Sequence, residues 1–220
     1  MVEGVFGKLP AHGDFVQRGL PNTFVAVWDE WLQRAVYGSR EIVGEQWLDY
    51  YLTSAIWRFA LSPGVIDGKV WAGVLVPSVD SVGRYFPVTL CRQFDPECQV
   101  FRFPGSAKKW YSDLGDLGLS ILQDALSADT LMGRFPVYEE QRGCTLVANR
   151  MGEALFLQGV SDDIEAAGLG EFAGQLISER HNSYSLWWNS CADPIASSML
   201  LTPGLPQPEM YGAMIGAVSR

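Results

Sequence analysis

The residues best suited to chemistry gather in two short stretches. Residues 7–21, GKLPAHGDFVQRGLP, set Lys8, His12, Asp14 and Arg18 among glycines and prolines, and His12 is one of only two histidines in the chain. Residues 78–90, SVDSVGRYFPVTL, place Asp80, Gly83 and Arg84 in a polar turn that feeds an apolar run through Phe86-Pro87. Such residues permit a general-base triad, with His12 activating Ser78 or Ser81 and Asp14 or Asp80 orienting it. They also permit a small-ligand hydrolase built on His12, Asp14 and Arg84. Against both, there is no GxSxG elbow and no cysteine in a recognisable catalytic setting. A metal site needs clustered ligands, whereas His12 and His181 stand far apart and neither has a CxxC pair nearby. Neither GxxxxGK[ST] nor GxGxxG occurs, and GLGEFAG falls inside a helical pattern rather than after a strand, so no nucleotide cofactor is expected. The remaining reading is structural. Glycines and prolines shape a loop, Arg84 pairs with Asp14 or Asp80 to lock two loops together, and His12 makes structural hydrogen bonds.

The bulk properties narrow the class. With 220 residues, 48% hydrophobic and 19% charged, the chain can bury a sizeable core and is too apolar to stay disordered. A formal charge of -9 disfavours nucleic acid and anionic lipid as partners, and Lys108-Lys109 is the longest basic run. No apolar run approaches the roughly 18 residues of a membrane-spanning helix. The opening MVEGVFGKLP does not read as a secretory signal, so a cytoplasmic protein is expected. Cys91, Cys98, Cys144 and Cys191 are scattered, which favours buried free thiols over a disulfide framework.

The elements that must position these residues follow from periodicity. VEGVFGKLP reads as a first strand. Phe24, Trp28, Trp31 and Ala35 then define an amphipathic helix, with Asn22 as cap and Gly38 as stop. Trp47, Leu48, Tyr51, Leu52 and Ala55 predict a second helix on the same core. IWRFALSP, KVWAGVLVP and YFPVTLCRQF, separated by turn formers, predict an antiparallel meander. Trp110, Leu114, Leu117 and Ile121 mark a long helix, and β character is expected around CTLVANR and EALFLQ. A further helix opens with Asp162 and Glu165 at capping-box spacing and carries Ile164, Gly168, Phe172 and Leu176 on one face. YSLWWNS and SSMLLTP look like strands paired across CADPIA, and QPEMYGAMIG like a short final helix. Trp187 and Trp188 must face opposite sides of their strand, so one fills the core while the other is covered by a helix or exposed as a partner anchor. The whole predicts one α+β domain over residues 1–220, a mostly antiparallel central sheet flanked by helices.

GKLPAHGDFVQRGLP, the WDEWL helix that follows it, and PSVDSVGRYFP together resemble the TagF/ImpM family, accessory proteins of the bacterial type VI secretion system. The resemblance is specific over the first hundred or so residues and looser toward YSLWW. Its GKxPxxGDF motif falls on Gly7, Lys8, Pro10, Gly13, Asp14 and Phe15, and its DxxGRxFP motif on Asp80, Gly83, Arg84, Phe86 and Pro87. The resemblance implies a longin- or profilin-like cytoplasmic protein that is not an enzyme and needs no cofactor. It implies a post-translational brake on assembly and firing of the apparatus, exerted by sequestering the forkhead-associated (FHA) scaffold protein. FHA domains read phosphothreonine through basic clusters, so Asp14 or Asp80 is expected to contribute to docking. The alternatives are the hydrolase above and a purely structural adaptor.

Overall fold

The computed structural model describes residues 2–139, 145–151, 154–160, 164–190 and 196–217. In chain order these form β1 (Glu3–Gly7), β2 (Val16–Arg18), α1 (Asn22–Val43), α2 (Trp47–Thr53), β3 (Trp57–Leu61), β4 (Val70–Val76) and β5 (Val88–Phe94). Then come α3 (Phe103–Ser106), α4 (Lys108–Asp124), α5 (Ala128–Gly133), β6 (Thr145–Met151), β7 (Ala154–Val160), α6 (Ile164–Ser178), β8 (Tyr184–Trp188), β9 (Met199–Pro203) and α7 (Pro208–Met214). Seven strands make one antiparallel sheet in the order β2-β1-β5-β4-β3-β8-β9, while β6 and β7 pair as a separate hairpin. The expected α+β class and the β3-β4-β5 meander are both observed.

The apolar run VWAGVLV becomes the central strand β4, buried along its whole length and therefore covered on both faces. Val70, Ala72, Val74 and Val76 meet Trp110, Tyr111, Leu114, Leu117 and Ile121 from α4. Trp71 and Leu75 meet Phe24, Trp28 and Trp31 from α1, Trp47 and Tyr51 from α2, and Tyr211 and Met214 from α7. The sheet is thus a middle layer between two helical layers. Buried tryptophans need a partner for the indole N–H. Trp28 donates to Thr89 Oγ1 at 2.8 Å, Trp31 to the Pro206 carbonyl at 2.7 Å and Trp57 to the Met214 carbonyl at 2.8 Å.

Several details differ from the sequence expectation. α1 continues past Gly38 to Val43, because Gly38 serves the contact with α7: a Cβ there would lie 2.8 Å from Pro208 Cβ. Asn22 does not cap α1; its Oδ1 accepts from Gln17 Nε2 at 2.9 Å, tying the helix start to β2. Leu52 is 57% exposed, on the flank of α2 that faces away from the core. Of the predicted α6 stripe Gly168 is buried and Phe172 half-buried, but Ile164 and Leu176 are exposed; the buried face also includes Gly174 and Glu171, which Arg102 holds in a 2.9 Å ion pair. Both Trp187 and Trp188 are buried, on opposite faces as strand alternation demands. Trp187 packs 5.3 Å from Trp31, and Trp188 lies edge-on to Tyr111 of α4 at 4.8 Å, which removes it as an exposed anchor. Cys91 is a buried thiol and Cys98 is half-buried. Cys144, Cys191, the Asp162 cap and most of the CADPIA turn lie outside the described residues.

Candidate functional site

Gly7 ends β1 directly opposite Val88, the first residue of β5. The loop leaving β1 and the loop entering β5 therefore emerge together, which is how two motifs far apart in sequence come into contact. A Cβ on Gly7, whose φ is +135°, would lie 2.2 Å from the Pro87 carbonyl oxygen, so only glycine admits this approach to the Phe86-Pro87 segment.

Asp80 is the centre of the assembly, with no side-chain exposure. Its Oδ2 accepts from Lys8 Nζ and from Arg84 Nε, each at 2.7 Å. Its Oδ1 accepts the backbone N–H groups of Val82 at 3.1 Å and Arg84 at 2.8 Å. Burial by itself would raise this carboxyl, but the bonds from Lys8, Arg84 and Val82 outweigh it and hold the group well below the usual carboxylate range. Lys8 is itself buried, so the pair is an internal one. The Gly83 N–H closes the turn onto the Asp80 carbonyl at 3.0 Å.

The same residues stitch the two loops. The Arg84 guanidinium reaches the Gly13 carbonyl, and the Ser81 N–H donates to the His12 carbonyl at 2.9 Å. Ser78 donates its hydroxyl to the Lys8 carbonyl at 2.7 Å, and its N–H to Tyr51 Oη at 2.9 Å. Pro10 and His12 are half-buried, and His12 Nε2 accepts the Ala128 N–H at 3.2 Å, anchoring the loop to the start of α5. Phe15 caps the arrangement with its ring 4.9 Å from Phe86, 5.9 Å from Phe6 and 5.1 Å from Lys8 Nζ.

Arg84 therefore pairs with Asp80 and not with Asp14, which is exposed and, among the described residues, accepts only the Phe15 N–H at 2.8 Å. The side chains of the hydrolase trio make no hydrogen bond with one another among the described residues: Arg84 is turned to Asp80 and the Gly13 carbonyl, Asp14 to the Phe15 N–H, and His12 Nε2 accepts the Ala128 N–H. Asp80 cannot offer its charge to a docking partner, because both of its oxygens are occupied inside the fold. Tyr51, which braces Ser78 from α2, was missed by sequence reasoning; its helical spacing marked it only as core. Among the described residues no cluster of three or more histidine, cysteine or acidic side chains could hold a metal ion, and no helix is long and apolar enough to cross a membrane.

A three-layer fold whose first strand and β5 carry a mutually locked pair of loops defines the class, and comparison with known proteins identifies it. Residues 4–135 match the TagF N-terminal domain, type VI secretion system-associated, and the chain belongs to that family. It is also similar to a solved structure, PA0076 from Pseudomonas aeruginosa PAO1, at 31% identity and a TM-score of 0.81, covering 99% of this chain and 96% of that one. No curated protein sequence matches.

Proposed function

We propose that this type VI secretion-associated protein is a non-enzymatic, cytoplasmic repressor that acts after translation by binding and sequestering the FHA-domain scaffold protein. The observation that carries this reading is the buried lock. The charges of both motifs hold the loops rigid from within, and the loop tips are left as a displayed rim. That rim consists of Asp14, Phe15 at 44% exposure, Val82 at 68% and Tyr85 at 38%. Rigid aromatic and apolar anchors beside a carboxylate suit capture of a basic protein face, and preorganisation limits the entropy lost on binding. Asp14, rather than Asp80, supplies the charge toward the basic cluster of an FHA domain.

The test is secretion from a strain lacking the protein, complemented with wild type or with D14K/V82D at equal expression. Wild type suppresses effector release and the variant does not. Equal suppression by both would contradict the assignment of this rim.

A further inference from the structure

A cleft of about 230 Å³ opens next to the locked loops, where β4 gives way to Pro77. Tyr51 and Leu52 of α2 line one side, Leu119 and Leu122 of α4 another, and Tyr85 of the β4–β5 connection also contributes. Leu52 is 57% exposed, Leu119 44% and Leu122 39%. Single exposed leucines are ordinary, but three around one concavity form a patch of the kind that marks an interaction site.

On α2 and α4 the charges beside these leucines have one sign, and Arg58, two residues from the cleft-lining Ile56, is turned to Ser190 Oγ at 2.6 Å. Asp49 precedes Leu52 by three residues and Asp116 precedes Leu119 by three, a spacing that puts each carboxylate on the helix face of its leucine. Both carboxylates are exposed, and neither joins an ion pair among the described residues. α2 contains no basic residue. The lysines of α4 stand at its start, where Lys109 pairs with Asp113 at 2.6 Å. Arg84, next to Tyr85, is committed to Asp80 and Gly13.

We propose that this cleft binds an amphipathic helix of a partner protein, with apolar side chains seated among Leu52, Leu119 and Leu122 and lysines or arginines on its flanks meeting Asp49 and Asp116. An added strand is disfavoured as occupant, because β4 is already paired on both sides by β3 and β5 and offers no free edge. The proposal goes beyond the reading above: it holds whichever protein supplies the helix, and its surface shares Tyr85 with the rim but not Asp14, Phe15 or Val82.

The probe is a fluorescein-labelled model helix of about 18 residues with leucines at i, i+3, i+4 and i+7 and lysines on its flanks, titrated with the full chain by anisotropy. A matched peptide carries glutamate in place of each lysine. The lysine peptide binds at least about tenfold more tightly than the glutamate peptide. L119E/L122E weakens it at least about tenfold, and D49K/D116K reverses the preference between the peptides. Circular dichroism confirms that each variant is folded. Equal affinity for both peptides, indifference to L119E/L122E, or an unreversed preference in D49K/D116K overturns the proposal. So does sedimentation showing a dimer of the chain that L119E/L122E dissolves, because a second copy would then be the occupant.

Discussion

Removing Asp80 tests the lock that organises both motif loops. In D80A the Lys8 ammonium, with only 6% side-chain exposure, remains buried without its carboxylate. The Arg84 guanidinium and the Val82 and Arg84 N–H groups lose their acceptor as well. Stranding one partner of a buried ion pair is far more damaging than removing both. For a chain of this size the expected fall in Tm is roughly 10 °C. K8M leaves Asp80 with its three other donors, so its Tm falls by only about 3 °C. K8M/D80A leaves no stranded lysine and melts above D80A alone. The pH dependence has a definite sign. A carboxyl lowered by folding contributes stability above its unfolded value near about 3.9, and that contribution is lost as pH falls through the lower folded value. The Tm gap between wild type and D80A is therefore complete at neutral pH and narrows only below about pH 4. Differential scanning calorimetry of the four proteins from pH 3 to pH 7 reads all of this. A D80A protein as stable as wild type, or a double variant less stable than D80A, would refute the reasoning.

Other substitutions probe separate links. G7A drives a methyl group into the Pro87 carbonyl and costs on the order of 3 kcal/mol by chemical denaturation, detaching β1 from the start of β5. W28F keeps most of the ring but strands Thr89 Oγ1 in the core, a loss of about 1–2 kcal/mol in the same assay. W188A opens a cavity beneath α4 and costs about 3–5 kcal/mol, while the folded fraction keeps the scaffold binding proposed above at its wild-type level, because Trp188 is not on the surface.

Much of the fold was legible because it rests on periodicity. The stripe Phe24, Trp28, Trp31 and Ala35 and the stripe Trp110, Leu114, Leu117 and Ile121 are all buried as their spacing requires. The exceptions arise where tertiary contact overrides a local signal. Gly38 reads as a helix stop but lets α7 approach, and Leu52 continues the apolar pattern of α2 while facing the cleft. The α6 stripe holds at Gly168 but not at its ends Ile164 and Leu176, because a carboxylate, Glu171, held by Arg102, takes a buried position that an apolar pattern does not mark. At the site, the motifs announced themselves by composition, but the partner of Arg84 did not, since Asp14 and Asp80 are equally plausible in one dimension. That choice is made within the turn, where the Gly83 N–H closes on the Asp80 carbonyl and brings the Arg84 N–H and guanidinium onto the Asp80 carboxylate, while the pairing of Gly7 with Val88, invisible to local pattern, brings the other motif loop alongside.

The most direct measurement is calorimetric titration of the purified protein with unphosphorylated FHA-domain scaffold at two salt concentrations, beside the D14K/V82D variant. Saturable binding that weakens with salt and falls at least about tenfold in the variant is the predicted result. Absence of binding to both unphosphorylated and phosphorylated scaffold, at either salt concentration, would contradict sequestration.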